Sequence, residues 1–130
     1  MKHVLPFNLF EDRSSELSAF VEGLDAVKEK YEKMGVRIDT HLGHYESLYL
    51  GILVVPEKSR EEGIGTAFMK ELCELADTYK IILLTSPEDS FGGTLSRLNK
   101  FYKRFGFVFN KGRQKDFRFM CNMYRLPSSI

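Results

Sequence analysis

The segment from Val54 to Thr66 constrains the fold of this chain more than any other. An apolar, strand-like stretch ends at Pro56, a charged loop follows, and two glycines spaced G-x-G come directly before a helical pattern. The first backbone N–H groups of a helix have no partner within the helix and carry partial positive charge. Glycines at 63 and 65 let ligand oxygens approach those groups without a Cβ in the way. The segment therefore predicts a phosphate-binding turn.

Two common nucleotide-binding patterns are absent from this turn. No Lys-Ser or Lys-Thr pair follows the glycines, which excludes a Walker-type loop. Phe68 stands three residues after Gly65, where a dinucleotide G-x-G-x-x-G fingerprint needs glycine. A lone G-x-G is also typical of a tight strand-to-helix turn, so the rest of the chain must decide between the two.

The size and composition of the chain limit the class of protein. We expect one domain over residues 1–130, long enough to bury its own core. No apolar run approaches the roughly 20 residues that cross a bilayer, and no signal-peptide core begins the chain, so we expect no membrane partner. The two cysteines, Cys73 and Cys121, lack metal-ligand spacing. We therefore expect structural cysteines, no metal and a reducing, cytoplasmic location.

Positive charge is concentrated towards the C-terminus, although the formal net charge is only +1. Residues 97–118 contain eight Lys or Arg and one acid, Asp116. Such a surface attracts anionic ligands, and it is equally typical of a solvated basic face. The near-zero net charge argues against nucleic acid as a partner. Binding of an acidic partner or RNA through this face is therefore the weakest of the functions considered.

Hydrophobic periodicity predicts both helices and strands. The helical patterns cover residues 14–34, 64–80 and 94–105. The strand patterns cover residues 36–40, 46–55, 81–85, 107–109 and 117–126, with a candidate first strand over 2–7. Gly23 could divide the first helix, and Gly51 within the second long strand pattern indicates a bulge or a close backbone approach. Strand, loop, helix and strand over residues 46–85 require a parallel, right-handed crossover.

Two motifs at a fixed separation resemble the GNAT acetyltransferase superfamily. The first is V-x-P, Val54 to Pro56, followed by R-x-x-G-x-G from Arg60 to Gly65. The second, Phe101 to Phe107, is similar to the family's F/L-Y-x-x-x-G-F. The resemblance covers roughly residues 46–126 and implies an α+β or α/β fold, with a mixed, mostly antiparallel sheet, a central parallel pair and flanking helices. The N-terminal part is short for the family.

The resemblance implies acetyl-CoA as the acetyl donor. The backbone of Ile52, Leu53 and Val54 would then hold the pantetheine arm. The diphosphate would lie on the loop residues Arg60, Glu61, Glu62, Gly63, Ile64, Gly65 and Thr66. The two glutamates must then point to solvent, because they would otherwise repel the ligand. Further candidate cofactor-binding residues are Asn99 and Lys103, with Arg104 and Lys58 as alternatives for the 3′-phosphate.

The same resemblance gives Tyr102 the role of general acid towards the departing thiolate. From helical spacing alone, Tyr102 is equally an amphipathic core residue. Many members of the family carry a glutamate base near the strand that matches Ile81–Thr85, where this chain has no acid. Glu46 is the candidate base, and a surface carboxylate is its alternative interpretation. A fixed base is not required where proximity supplies the rate and water carries the proton.

The sequence therefore predicts an N-acetyltransferase that moves an acetyl group to a primary amine by direct attack in a ternary complex. The amine belongs to a small molecule or to a protein. The alternative is a catalytically weak or inactive acyl-CoA-binding module of the same fold. The missing acid favours the module, and Tyr102 favours the enzyme. No motif identifies the acceptor or indicates whether the chain forms a homodimer.

Overall fold

The computed structural model describes residues 6–88 and 94–128, with side chains from residue 13 onward except that of Glu61. The helices are α1 (Pro6–Glu32), α2 (Ile64–Tyr79) and α3 (Leu95–Lys103). The strands are β1 (Arg37–Gly43), β2 (Ser47–Val54), β3 (Ile82–Thr85), β4 (Val108–Phe109) and β5 (Met123–Arg125). Short 3-10 helices span Glu57–Glu62 and Gly112–Gln114.

The five strands form one mixed sheet in the order β1-β2-β3-β5-β4. The pair β2–β3 is parallel, and the other three neighbouring pairs are antiparallel. Helix α2 connects the parallel strands, as a crossover must. The expected fold class, a mostly antiparallel sheet with a central parallel pair flanked by helices, is therefore confirmed.

The two faces of the sheet are covered differently. One face carries Leu48, Leu50 and Leu83, and it packs against apolar side chains of all three helices, including Phe20, Phe68 and Tyr102. The opposite face carries Tyr49, Leu84 and Tyr124, and it packs against Phe119 and Cys121. Burial raises the pKa of both cysteine thiols, that of Cys73 to about 11, so both stay protonated near neutral pH.

Helix α1 is longer than its periodic pattern predicted, and Gly23 does not divide it. A Cβ at Gly23 would lie 2.9 Å from Cδ1 of Leu75, so this glycine lets α1 approach α2 closely. Of the candidate strand over residues 2–7, residues 2–5 lie outside the described residues. Pro6 and Phe7 belong to α1, where the strand prediction was wrong. Within the described ranges, no helix is both long and apolar enough to span a membrane.

The bulge indicated at Gly51 is present. Residue pairing between β1 and β2 passes from Thr40 opposite Leu50 to Asp39 opposite Ile52, which leaves Gly51 as the extra residue. Such a bulge bends and twists the strand that contains it. The bend lies next to the position where β2 and β3 part.

The strand predicted over residues 117–126 is wrong except at its end, where β5 forms. Instead, the buried side chain of Asn110 binds the segment that comes just before β5. Its Nδ2 donates to the carbonyls of Phe119 at 3.1 Å and Cys121 at 3.0 Å, and its Oδ1 accepts from the Asp116 amide at 2.6 Å. Alternating apolar residues suggested a strand, but a side-chain amide provides the backbone partners here. We call residues 110–122 the Asn110 loop.

Candidate functional site

The parallel strands β2 and β3 separate after Leu50 and Thr85, the last pair in their register. The Thr85 hydroxyl, which is buried, donates to the Leu50 carbonyl at 2.9 Å. This side-chain hydrogen bond occupies the Leu50 carbonyl at the position where the backbone pairing of β2 with β3 stops. From Ile52 to Val54, β2 pairs with β1 alone, and the other edge of β2 beyond Leu50 faces a cavity.

That cavity, which we call the groove, has a volume of about 580 Å³, within the range of small-ligand sites. It lies between the end of β2, the start of α2 and one side of α3. Its walls include backbone and side chains of β2, the turn before α2, the end of β3 and α3: Gly51, Ile52, Leu53, Val54, Val55, Arg60, Gly63, Gly65, Thr66, Thr85, Ser86, Pro87, Glu88, Arg97, Leu98, Lys100, Phe101, Tyr102 and Arg104.

The N-terminus of α2 opens onto the groove. Gly63, its N-cap residue, has φ 74°, a conformation that glycine adopts without steric cost, and no described side chain caps the helix. Gly65 allows a close approach, since a Cβ there would lie 3.3 Å from Cγ2 of Val55, a tight contact. The first amides of α2 are therefore available to an anion, whose charge the helix dipole also favours.

Four cationic side chains line the groove: Arg60, Arg97, Lys100 and Arg104. Glu88 is the one acid among the described lining residues. Arg60 Nε donates to the Val55 carbonyl at 3.0 Å, which holds this arginine against the end of β2. The Arg104 guanidinium lies 5.4 Å from the centre of the Phe101 ring. The groove therefore has the charge of a site for a multiply charged anion.

Tyr102 lines the groove and is only 5% exposed. Its ring packs edge-on against Phe101 and Phe107, with centroids 5.2 and 5.3 Å away. Burial raises the pKa of Tyr102 to about 12, while a hydrogen bond with the Thr85 side chain acts in the opposite direction. The phenol is therefore protonated at neutral pH and able to donate its proton.

The structure brings most of the sequence-predicted site residues together. Those lining the groove are Ile52, Leu53, Val54, Arg60, Gly63, Gly65, Thr66 and Tyr102. Those not among its lining residues are Glu46, Glu62, Ile64, Asn99 and Lys103, and the side chain of Glu61 lies outside the described part of the chain. The side chain of Glu62 is exposed, as a position beside a bound diphosphate requires.

Glu46 lies at the opposite end of β2 from the groove. It directly precedes Ser47, which pairs with the first residue of β3, whereas the strands part at Leu50. The intervening strand is roughly 10 Å long. Glu46 Oε1 accepts from Arg13 Nη2 at 2.8 Å, an ion pair that joins the hairpin turn to α1. The structure thus does not bring Glu46 to Tyr102.

Lys103 and Arg104 are neighbours in the chain, but they face different surroundings. Lys103 Nζ lies 4.3 Å from the centre of the Phe109 ring, away from the groove residues. Arg104 lines the groove together with Arg97 and Lys100. Sequence reasoning identified the basic cluster but not which of its members line the groove. Counting back four residues from Arg104 gives Lys100, and three more give Arg97, so helical spacing would have identified both.

Thr85 was also missed as a site residue. It is the only polar residue of β3, whose four residues are all buried. A hydroxyl at the end of an otherwise aliphatic strand was a usable signal, because a buried polar group needs a hydrogen-bond partner. Among the described residues, no group of three His, Cys, Asp or Glu could hold a metal ion.

Comparisons with known proteins give one remote structural similarity. The crystal structure of Ard1 from Thermoplasma volcanium is 19% identical to this chain, with a TM-score of 0.49. The similar region covers 72% of this chain and 64% of the Ard1 chain, less than two thirds of the latter. No protein-family model and no curated protein sequence matches the chain. The function is therefore argued from the groove itself.

Proposed function

We propose that this protein is an N-acetyltransferase that uses acetyl-CoA to acetylate a primary amine. The combination of features in the groove carries the proposal. The groove brings together the first amides of α2, four cationic side chains, the β2 edge beyond Leu50 and Tyr102. The two sequence motifs that resemble the GNAT superfamily both contribute residues to this groove.

The groove residues fit the chemistry of acetyl-CoA. A diphosphate needs several N–H donors and positive charge, and the start of α2 with Arg60 provides both. The 3′-phosphate needs a further cation, for which Arg97, Lys100 and Arg104 are available. The pantetheine arm carries amide groups, and the β2 edge from Gly51 to Val54 can bind them as a further strand would.

Acetyl-CoA supplies an activated acetyl group as a thioester. We infer that the amine nitrogen bonds to the acetyl carbon while the C–S bond breaks. Tyr102 donates its proton to the sulfur, and the proton that the amine loses leaves to water. Tyr102 recovers a proton from solvent afterwards. With the phenol protonated at neutral pH, the chain needs no further acid for this step.

An inactive acyl-CoA-binding module of the same fold is the second candidate. It is favoured by the scarcity of carboxylates, because Glu88 is the only acid among the described groove residues and Glu46 is paired with Arg13. Both candidates require the groove to bind acetyl-CoA. They differ in whether an amine is acetylated.

Thermal unfolding with and without acetyl-CoA tests the binding step. At about 100 times its dissociation constant, a ligand of the native state adds about 2.7 kcal/mol of stability, which here raises Tm by roughly 10 °C. Desulfo-CoA should stabilise similarly, since it keeps the phosphates. No change in Tm with millimolar acetyl-CoA would overturn both candidates.

The Tyr102→Phe variant tests catalysis. Release of free CoA thiol should fall about 10²-fold or more with an amine acceptor, the usual contribution of a general acid, while acetyl-CoA affinity stays nearly constant. Tyr79→Phe is the matched control, because Tyr79 packs against Phe20 away from the groove. A large loss of acetyl-CoA affinity in Tyr102→Phe would instead make Tyr102 a structural residue. Binding without thiol release from the unaltered protein would identify the inactive module.

A further inference from the structure

The basic residues between 97 and 118 divide into two groups. Arg97, Lys100 and Arg104 line the groove, whereas the cations of the Asn110 loop are not among its lining residues. The single acid of that loop is Asp116, which accepts from Arg118 at 3.0 and 2.7 Å. Four cations against one acid leave the loop with a net charge of +3. These cations, all exposed, are Lys111, Arg113, Lys115 and Arg118.

The same loop carries two apolar side chains that are almost fully exposed. Phe117 is 88% exposed and Met120 is 99% exposed. The Phe119 amide donates to the Asp116 carbonyl at 3.2 Å, which closes a tight turn with Phe117 at one corner. Tyr45, 60% exposed on the β1–β2 turn, has its ring 6.1 Å from that of Phe119. Single exposed apolar residues are ordinary, but several together indicate a binding surface. We call Tyr45, Phe117 and Met120 the loop patch.

Cations lie against the aromatic rings of the loop patch. The Arg118 guanidinium lies 5.6 Å from the centre of the Tyr45 ring and 5.0 Å from that of Phe119. Lys115 Nζ lies 5.8 Å from the centre of the Phe117 ring. Aromatic residues, methionine and arginine are the residues enriched where proteins bind each other. An apolar surface edged by cations is complementary to a segment whose apolar side chains lie among carboxylates.

The Asn110 loop is held in place by hydrogen bonds to the rest of the chain. Besides the contacts of Asn110, the Tyr124 hydroxyl donates to the Gln114 carbonyl at 2.6 Å. The Asn122 amide donates to Oγ of Ser86 at 3.0 Å. A preformed surface loses less conformational entropy on binding than one that must first become ordered. The loop patch is therefore organised to bind a partner.

We propose that the loop patch binds another protein through an acidic segment that also carries apolar side chains. Phe117 and Met120 would pack against those apolar side chains, and the loop cations would pair with the carboxylates. An anionic bilayer is a poorer partner, because even a single myristoyl chain binds one only marginally. Two side chains contain fewer carbon atoms than that chain. This interaction is separate from acetyl transfer and does not depend on the groove.

Fluorescence anisotropy with a labelled acidic peptide, E-E-D-F-E-E-L-D-E-D, tests the proposed partner chemistry. We expect binding that weakens as salt is added, because exposed charges are screened. A second peptide with serine in place of phenylalanine and leucine keeps every charge, and should bind about 10-fold more weakly. Equal binding of the two peptides would overturn the apolar contact. No binding at millimolar concentrations of the first peptide would overturn the proposal as a whole.

Phe117→Ser and Met120→Ser locate the binding surface. Each should weaken peptide binding about 10-fold, as loss of a central apolar contact does, without lowering Tm, since both side chains are exposed. Met34→Ser is the matched control, because Met34 is 47% exposed just after α1, at the start of β1 rather than beside the β1–β2 turn. Unchanged affinity in both loop variants, or an equal loss in Met34→Ser, would overturn the loop patch.

Acetyl-CoA binding distinguishes failure of this proposal from failure of the proposed function. Phe117 and Met120 do not line the groove, so both loop variants should bind acetyl-CoA as the unaltered protein does. Acetyl-CoA binding without peptide binding would overturn the loop patch alone. Peptide binding without acetyl-CoA binding would overturn the proposed function alone.

Vesicles, RNA and a second copy of the chain are the competing occupants. Phosphatidylcholine vesicles with about a quarter phosphatidylserine, and poly(U), should both bind more weakly than the first peptide at the same salt concentration. Tighter binding of either one that Phe117→Ser removes would overturn the protein partner. Sedimentation of the unaltered protein should show no self-association that Phe117→Ser abolishes. Such self-association would instead assign the loop patch to a second copy of this chain.

Discussion

Thr85 shows how one side chain shapes the centre of this protein. Its hydroxyl has a single proton, which the Leu50 carbonyl accepts at 2.9 Å. The oxygen of Thr85 is then left as an acceptor for the Tyr102 phenol. When Tyr102 gives up its proton, the Thr85 hydroxyl can turn and donate to the phenolate, which agrees with its lowering effect on the Tyr102 pKa. Thr85 therefore ends the parallel ladder, and we expect its oxygen to position the Tyr102 phenol as well.

Replacing Thr85 with valine removes this hydroxyl at nearly constant shape. The buried Leu50 carbonyl loses its partner, which should lower the free energy of unfolding by about 1–3 kcal/mol. The kcat for thiol release should also fall severalfold. Thr85→Ser, which keeps the hydroxyl, should largely retain both the stability and the kcat of the unaltered protein. The readouts are urea denaturation and steady-state kinetics of the two variants. Equal kcat in Thr85→Val and the unaltered protein would confine Thr85 to a structural role.

Arg104 and Lys103 form a matched pair for the phosphate end of the groove. Arg104→Gln should weaken acetyl-CoA binding by about 3- to 10-fold, as expected for a partly screened charge–phosphate contact. Lys103→Gln should leave binding unchanged, because Lys103 lies over the Phe109 ring outside the groove. Titration calorimetry at two salt concentrations checks both variants. A loss confined to Lys103→Gln would contradict the assignment of the α3 face.

At the scale of elements, the sequence predicted best those helices and strands whose apolar side chains recur at regular spacing. The patterns over residues 64–80 and 81–85 correspond closely to α2 and β3, because each element buries one regular set of apolar side chains. The Asn110 loop was missed because its partners are a side-chain amide and distant carbonyls, which periodicity does not reveal. The turn before α2 was predicted from its sequence motif and from the spacing of its two glycines. The way the irregular Asn110 loop covers the opposite face of the sheet could not be predicted, because periodicity does not reveal the partners of that loop.

The C-terminal end of α2 has a correctable strain. Lys80 adopts φ 58° and ψ 51°, the left-handed conformation that glycine favours at this position. Lys80→Gly should therefore raise the free energy of unfolding by about 0.5–1 kcal/mol, the relief of strain being partly offset by the entropy of glycine. Acetyl-CoA binding should not change, because the residue lies at the far end of α2 from the groove. Chemical denaturation checks the sign, and Lys70→Gly within the same helix should destabilise.

At the scale of the whole molecule, Arg125 and Asp77 connect separate parts of the chain. Arg125 donates through Nη1 and Nη2 to the Asp77 carboxylate at 2.9 and 3.0 Å, and through Nε to the Phe105 carbonyl at 2.7 Å. The amide of Ser128 also donates to Asp77 at 2.8 Å. One ion pair thus joins β5, α2, the end of α3 and the C-terminal segment.

This network makes stability depend on pH at the acid end. The hydrogen bond from Arg125 lowers the pKa of Asp77 below its ordinary value of 3.8. A carboxyl whose pKa is lower in the folded state than in the unfolded state stabilises the protein at any pH above its unfolded pKa. That stability is lost as the pH falls through the folded pKa. Asp77→Asn should therefore lower the free energy of unfolding by about 1–2 kcal/mol at pH 7, and by progressively less below pH 3.8.

Urea denaturation of both proteins at several pH values measures this difference. Asp116→Asn is the comparison variant, since Asp116 pairs with exposed Arg118 in the Asn110 loop rather than between elements. A difference that stays constant through the acid range would contradict the assignment to Asp77 ionisation.

The Asn110 loop has a further consequence for how this protein could change over evolution. The three α-helices of the described residues pack on one face of the sheet, whereas the opposite face is covered by the Asn110 loop, which the Asn110 amide and the Tyr124 hydroxyl hold through hydrogen bonds. Substitutions between Lys111 and Met120 can reshape that wall without disturbing the helix-face core. The shape of that wall is therefore free to diverge quickly among descendants of this chain, while the helix face of the sheet stays under the constraints of a packed interior.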